Sequence, residues 1–551
     1  MSIRGMALLL TVIWCTIYLV RYFTTRHTSA GLLPTNFGQA SLRPKTKVTL
    51  HNLQLRYSTG RWNTSHDKLS TFLLKKSTRV SAAVKSFYDI GSIFSAFGMA
   101  ISLAGLLWIS FNSGWMLFLA IYGKDASPSL ANHLSKRAID AEGAIPPSVT
   151  STSPEIIPII PGVTVPLGHL PLIVIAVFLS QLVHELGHAV AGARESLPMI
   201  SAGFSFIVCI PSAFVAFPVA GLKNLTAKAR CRVISAGPFH NLAFWGLILL
   251  FARLIPGKLC SLLSGYKNVS NIGKVVVDVN MDSPLSLYLQ PGSVVTRLDD
   301  VSLSGPMSSV TWTNYLTGDA QPPAMGWCLH RSDLEKAVNC CSPSGDKKAS
   351  PLSCFVSHEP SIQGCMDPVP VLTKPYGYGR CKNSEECARE SVCTFLERSS
   401  QLMRITVRNP DMADKEETVV LWSGPRLEVW EEVQVGDWLP RVWFLPLKLP
   451  LVADLFWQYL KMATISLFFV NLLPLPHLDG AELLRSFLDV LFSDSEPFTY
   501  DMEAMQQGRN NEDARVPRRL KERISTFMSR MTASLAVSTV ALSGFNLLLK
   551  S

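Results

Sequence analysis

His184, Glu185 and His188 fall in the run His184-Glu185-Leu186-Gly187-His188, an H-E-x-x-H pattern. On a helix, positions i and i+4 share a face, so both imidazoles can reach one metal ion. Glu185 can then face the metal's open position as general base. Zinc lowers the pKa of a bound water to about 7, and the glutamate accepts its proton as the water attacks a carbonyl carbon. The motif follows Leu170–Val183, which has no charged residue. A helix would place His184 roughly 20 Å along its axis from Leu170. An unpaired carboxylate at such depth in hydrocarbon is expensive, and ionisable groups there are functional by default. The plainer alternative is a buried His–Glu hydrogen-bonding cluster that only packs helices.

Two histidines do not complete a catalytic zinc site, which needs three protein ligands. Glu195 lies at the end of the helix, and no glutamate-ligand motif follows it. A better source is Asn471-Leu472-Leu473-Pro474-Leu475-Pro476-His477-Leu478-Asp479-Gly480, at the end of another apolar stretch. Pro474 and Pro476 interrupt the helix, and the freed backbone groups need a protein lining or a cavity. A carboxylate there needs a partner, so Asp479 is the expected third ligand to one zinc ion. His477 is the rival ligand. A further alternative takes all three ligands from the H-E-x-x-H region.

The elements that must hold these residues are membrane helices. Hydrophobic residues make up 48% of the 551-residue chain and charged residues 17%, against about 25% charged in soluble domains. Mean hydropathy is +0.24. This excludes a disordered, collagen-like or coiled-coil chain and disfavours a soluble enzyme. The net charge of +10 is read as basic flanks of membrane helices rather than as direct nucleic-acid binding. Six apolar stretches stand out: Gly5–Val20, Ile90–Tyr122, Leu170–Ala193, Cys231–Leu254, Leu449–Leu475 and Phe527–Leu549. The first is short for a span and reads as an anchor or a signal peptide. The second is expected to break near Asn112-Ser113-Gly114, as a span plus a re-entrant arm or as a hairpin. The segment Tyr22–Phe87 is strongly basic, with Asp67 its one acidic residue. The positive-inside rule would put it in the cytosol, whereas its sequon Asn63-Thr64-Ser65 favours the lumen; its side stays open.

The two motifs together resemble the intramembrane site-2 protease family of zinc metalloproteases, in particular its eukaryotic, membrane-bound transcription factor branch. That family carries H-E-x-x-H in one transmembrane helix and N-x-x-P-x-x-x-L-D-G in a later one. Gly203-Phe204 with Ile210–Val215 resembles the family's membrane-dipping strand segment. Ala236-Gly237-Pro238-Phe239-His240-Asn241 resembles its A-G-x-x-H-N, and Cys381-x5-Cys387-x5-Cys393 a luminal cysteine pattern. The branch's serine run is missing. The resemblance implies that Asn241, Asn471 and Pro474 lie near substrate, the asparagines as amide donors to substrate or oxyanion. For both asparagines the bland reading is a bond between helices; His240 reads as an interfacial histidine. The resemblance also implies membrane-tethered transcription factors as substrates, first clipped by a luminal protease, and a Golgi or endoplasmic reticulum membrane. A metal-binding carrier or scaffold without protease activity is the alternative, although Glu185 would then have no task.

The expected fold is thus a polytopic α-helical membrane protein with about six spans, a zinc site within the membrane and an inserted luminal β-rich domain. The divisions are 1–123, N-terminal membrane segments and basic loop; 124–168, a Pro/Ser-rich linker; 169–254, the catalytic membrane core; 255–446, the insert; and 447–551, the C-terminal membrane core. In the insert, β-rich runs at Lys274–Val279 and Val294–Leu298 alternate with Ser-Pro and Pro-Gly turns, which resembles a PDZ domain. Returning strands are expected at Leu402–Arg408 and Thr418–Trp422. Cys328, Cys340, Cys341, Cys354, Cys365, Cys381, Cys387 and Cys393 form an even, dense set. They are read as disulfides in an oxidising lumen. No C-x2-C pair supports zinc there. The sequon Asn268-Val269-Ser270 also suits a luminal insert. Cys15, Cys209, Cys231 and Cys260 read as packing residues.

Overall fold

A computed structural model describes residues 3–26, 46–75, 78–122, 164–208, 210–254, 265–305, 307–318, 325–337, 341, 352–357, 361–373, 379–397, 402–409, 417–492 and 512–550. Most of the expected 124–168 linker lies outside them. The chain divides into two compact units. One holds the two motifs; the other spans Ile255–Asp454.

The first unit is helical. Its main elements are α1 (Ile3–Arg26), α2 (Asn63–Lys75), α3 (Thr78–Tyr122), α4 (Leu170–Arg194), α5 (Ala227–Leu254), α6 (Leu449–Asn471, entering from the second unit), α7 (Asp479–Phe492) and α8 (Glu512–Lys550). Each of the six apolar stretches coincides with a helix. Among the described residues, three helical segments are long and apolar enough to cross a membrane: Arg79–Phe118, Leu167–Arg194 and Ala227–Leu254.

The expected break at Asn112-Ser113-Gly114 does not occur. Residues 78–122 form one continuous helix. Serines along it satisfy themselves on the preceding turn: Ser102 Oγ donates to the Gly98 carbonyl (2.7 Å) and Ser110 Oγ to that of Leu106 (2.9 Å). Ser110 also meets the Thr539 hydroxyl of α8. Small and polar residues thus become contact points between helices instead of breaks.

Three polar contacts zip α3 onto α5. The Tyr88 hydroxyl lies 3.1 Å from His240 Nε2, and the Ser92 and Ser235 hydroxyls are 3.0 Å apart. Arg232, buried on α5, reaches Asp89 of α3 and Glu195 just after α4, each at 2.9 Å. A buried guanidinium needs such partners, because removing one leaves a charge uncompensated. His240 is therefore an interfacial residue, stacked on the Tyr88 ring.

The expected strand segment is a hairpin, β3 (Ser201–Ile207) and β4 (Ile210–Ala216). It joins a second hairpin, β1 (Lys47–His51) and β2 (Gln54–Thr59), in one antiparallel sheet of order β1-β2-β3-β4. The first hairpin falls in what reads from sequence as a basic loop. Its turn places Asn52 and Leu53 at φ +44° and +58°, the left-handed region of a two-residue hairpin turn. The turn is anchored from outside: Val208 N–H donates to the Leu53 carbonyl at 3.0 Å. Pro211 sits in β4, the edge strand, where a missing N–H is tolerated.

Among the described residues the second unit contains two larger sheets and a two-stranded one, Tyr266–Asn268 with Trp438–Pro440. The first has the order Glu417–Ser423, Leu402–Arg408, Val294–Leu298, Lys274–Val279, Val433–Gly436, with Val301–Ser302 paired to Val294–Leu298. Three of the expected strands appear with the expected bounds, and Thr418–Trp422 lies inside Glu417–Ser423. Helices Ser308–Thr317 and Arg426–Glu432 close the core, with Trp312, Leu316, Val429 and Trp430 buried against Val276, Leu298 and Ile405. Trp312 therefore belongs to this core, and the cysteine-rich part runs from Gly326 to Leu396. That part is a second sheet of order Ile362–Met366, Ser353–Ser357, Ser391–Leu396, Gly326–His330, Arg380–Cys381. The Arg380 guanidinium lies 4.0 Å from the centre of the Trp327 ring and, with Arg404, pairs with Asp300. These contacts fasten one sheet to the other.

Three disulfides tie the second sheet: Cys328–Cys387, Cys341–Cys354 and Cys381–Cys393. Cys365 is disulfide-bonded as well, while Cys340 lies outside the described residues. Cys15 and Cys231 are free; Cys209 and Cys260 are not described. Closing the 59-residue separation of the first bridge is worth about 4 kcal/mol in a chain-entropy account. Mass mapping of non-reduced peptides is expected to recover these three pairs, with almost no free thiol among the eight cysteines. Mostly free thiols would remove the oxidising-lumen reading.

Candidate metal centre

The helix that carries the histidines begins with Pro171 in its first turn, where the missing N–H costs nothing. Its buried face is small apart from His184: Ala176, Ser180, Gly187 and Ala191. Small residues let α5 come close. A Cβ on Gly187 would lie 2.5 Å from the Ala236 carbonyl oxygen. One on Gly237 would lie 2.7 Å from Nε2 of His184. Both distances are shorter than real carbon contacts, so glycine at 187 and 237 is what seats the histidines against α5.

The second motif reaches the same place through α6. Ser180 and Thr464 share a buried hydroxyl contact of 2.8 Å, and His169 Nδ1 lies 2.8 Å from the Tyr459 hydroxyl. These pin α6 alongside α4. The helix ends at Asn471; Pro474 is buried in the turn that follows, and α7 starts at Asp479. Gly480 packs its α-carbon against the Leu472 and Leu473 carbonyls, where a Cβ would collide. The chain thereby doubles back and presents Asp479 to the histidines.

Asp479 Oδ2 is 2.9 Å from His184 Nε2 and 3.3 Å from His188 Nε2, and the two Nε2 atoms are 3.1 Å apart. A tetrahedron with metal–ligand legs of about 2.0–2.1 Å has edges of about 3.3–3.4 Å. The triangle is therefore close to the face of a tetrahedral zinc site. Its protonation chemistry fits too. His188 Nδ1 is 2.9 Å from the Val233 carbonyl, so Nδ1–H donates there and Nε2 keeps its lone pair. His184 Nδ1 faces the Asn241 amide at 3.3 Å, while Asn241 Oδ1 is buried without a partner. With that amide turned over, His184 Nδ1–H donates to Oδ1, and Nε2 is again a lone pair. Oδ2 of Asp479 is buried and accepts no hydrogen bond. Three such atoms facing one another in a largely buried site could hold a cation between them. The residues present fit zinc.

Glu185 stands beside the triangle and is not one of its corners. Its Oε2 accepts the Val215 N–H of β4 at 2.8 Å. One turn earlier, Gln181 Oε1 accepts the Ala213 N–H at 3.2 Å. The edge of the sheet is thus held along the face of α4 that carries the base.

His184, Glu185, His188 and Asp479 come together as expected. His477, the rival ligand, is exposed at φ +71° and lies outside the cluster. Asn241 is fully buried, its side-chain amide 3.3 Å from His184 Nδ1. Asn471 is half-buried at its helix end, and its side-chain amide bonds to no described residue. The sequence alone does not single out Gln181, Val233 or β1–β2. Gln181 was findable, as a polar residue four positions before Glu185 in an apolar helix. The Val233 carbonyl was not, since any residue supplies one.

Residues 172–410 match the sequence profile of peptidase family M50. Over 146 residues the chain is 32% identical to a protein of Arabidopsis thaliana named "Membrane-bound transcription factor site-2 protease homolog". The match covers 26% of this chain and 28% of that relative, so it spans little more than a quarter of the relative's length.

Proposed function

We propose that the chain is a zinc-dependent intramembrane endopeptidase of the site-2 protease type. The observation that carries this reading is the meeting of His184, His188 and Asp479 within 3.3 Å, with Glu185 beside them. The match to an M50 peptidase profile supports it. When bound, zinc acidifies water and polarises the scissile carbonyl.

The chain's own residues would do the rest. Glu185 takes the water's proton and returns it to the leaving nitrogen. Asn241 holds His184 in the tautomer that leaves Nε2 toward the metal, an orienting task of the kind worth about 10- to 100-fold in metal affinity. Asn471, whose amide is uncommitted, is the better candidate for a donor to the oxyanion. An extended substrate segment could add to the edge of β4 by displacing the Gln181 and Glu185 side chains that now occupy it. Pairing there would compete for the Val215 N–H and release Glu185 toward the reaction.

In this reading six helices span the bilayer and the disulfide-bonded, PDZ-like insert is luminal. Substrates are membrane-tethered transcription factors already clipped on the luminal side, in the Golgi or endoplasmic reticulum. The test is mass spectrometry of a purified tethered substrate incubated with zinc-loaded enzyme. A new peptide end inside the substrate's apolar helix is expected. Stoichiometric zinc with no cut in any tethered helix would favour a metal-binding carrier or scaffold.

The insert is also proposed to select substrates by size. Substrate with a short luminal stub is expected to be cut, and full-length substrate to resist. Deleting residues 326–396 while keeping Trp312 should relax that preference. Equal cutting of long and short forms by the wild type would leave the insert a docking or stability element.

A further inference from the structure

A basic face on α8 belongs to no part of the metal site. Arg519, Arg523 and Arg530 lie within about 40° of one another around the helix at 100° per residue. With Glu522, Thr526 and Phe527 they line an open cavity of about 520 Å³. All three arginines are exposed, and none forms an ion pair or hydrogen bond with another described residue. That contrasts with their neighbours. Lys521 pairs with Asp489 of α7 at 3.2 Å, and Asp489 also holds Arg230 of α5 at 3.0 Å. Arg485 donates to the Ser525 hydroxyl at 3.4 Å. The segment is thus fixed against the folded unit, while its three arginines have no partner among the described residues.

Its position says what could meet them. From Met531 to Leu549 the helix has no charged residue, so the basic face directly precedes an apolar run. Phe527, 66% exposed, sits among the arginines. Arg230 lies at the start of α5, and the far end of that helix leads to the disulfide-bearing insert. The basic face therefore marks the opposite end of α5, the cytosolic side if the insert is luminal. A ligand that offers phosphate oxygens next to an apolar chain is a lipid. An acidic protein would satisfy the arginines and leave Phe527 and the apolar run without a partner. Guanidinium groups bind phosphate bidentately, and a converging set of three suits a headgroup with more than one phosphate. We propose that Arg519, Arg523 and Arg530 form a site for the phosphorylated headgroup of an anionic phospholipid of the leaflet opposite the insert.

The experiment titrates the full-length protein, in phosphatidylcholine nanodiscs, with dioctanoyl phosphatidylinositol 4-phosphate. The parallel arms use dioctanoyl phosphatidylcholine, the free inositol bisphosphate headgroup and inorganic phosphate. Saturable, salt-sensitive binding of the phosphorylated lipid is expected. A juxtamembrane arginine is worth about fivefold in binding to an anionic surface, so Arg519→Gln/Arg523→Gln/Arg530→Gln should weaken it by about 100-fold. The Arg→Lys triple should lose less, because charge remains and only the bidentate geometry goes. Zinc content equal to that of the wild type shows that the Gln triple is folded; if it is not, Arg523→Gln alone should cost about fivefold. Unchanged binding by the Gln triple would overturn the proposal, as would equal binding of phosphatidylcholine. Equally tight binding of the free headgroup or of inorganic phosphate would overturn the lipid as ligand. Absence of saturable binding would reduce the face to a topology signal.

Discussion

Glu185→Gln is expected to keep zinc and lose peptide hydrolysis by about 100- to 10,000-fold, the usual worth of one acid–base group. Glutamine has nearly the shape of glutamate, and its Oε1 can still accept the Val215 N–H that now reaches Oε2 at 2.8 Å. The sheet edge should therefore stay in place. The metal triangle does not include Glu185, so zinc measured by plasma mass spectrometry should remain near one ion per chain. What disappears is the ability to take a proton from water. Single-turnover cleavage by purified wild type and variant, at equal zinc content, is the measurement. Turnover within about tenfold of the wild type would remove Glu185 as the base.

Asp479→Ala should fail earlier, at the metal. It would remove the one carboxylate of the proposed ligand set and leave two imidazoles on α4. Loss of a group that merely orients a ligand costs about 10- to 100-fold in metal affinity, and loss of a ligand should cost more. Zinc well below one ion per chain after purification, with activity lost in parallel, is the expected result. The Cys328–Cys387, Cys341–Cys354 and Cys381–Cys393 bridges lie in the other unit. Their persistence would separate local loss of metal from failure to fold. His477→Ala is the companion variant and should keep full zinc, because that side chain is exposed outside the cluster. Full zinc and activity in Asp479→Ala would move the third ligand elsewhere.

The sequence alone determined whatever depends on neighbours along the chain. A spacing of four residues in a helix puts His184 and His188 on one face whatever surrounds them. A charge-free run before them marks an apolar helix, and alternating β-branched residues mark strands such as Lys274–Val279. The even set of cysteines indicates an oxidised segment, though 105 pairings are open to eight of them. The tertiary structure decided what depends on residues far apart. Asp479 follows His188 by 291 positions, and only the Ser180–Thr464 contact and the collapsed turn at Gly480 show how it arrives. Gly237 stands in the A-G-x-x-H-N pattern, but the reason for a glycine there is the imidazole that occupies the place of its missing side chain. Lys47–Thr59 reads as a basic loop because half its pairing comes from β3, almost 150 residues on. Asn112-Ser113-Gly114 reads as a break because propensity cannot register that α8 packs against the same helix. Local periodicity is written in consecutive residues, whereas a metal site, a sheet and a helix contact are set by which distant surfaces can be buried together.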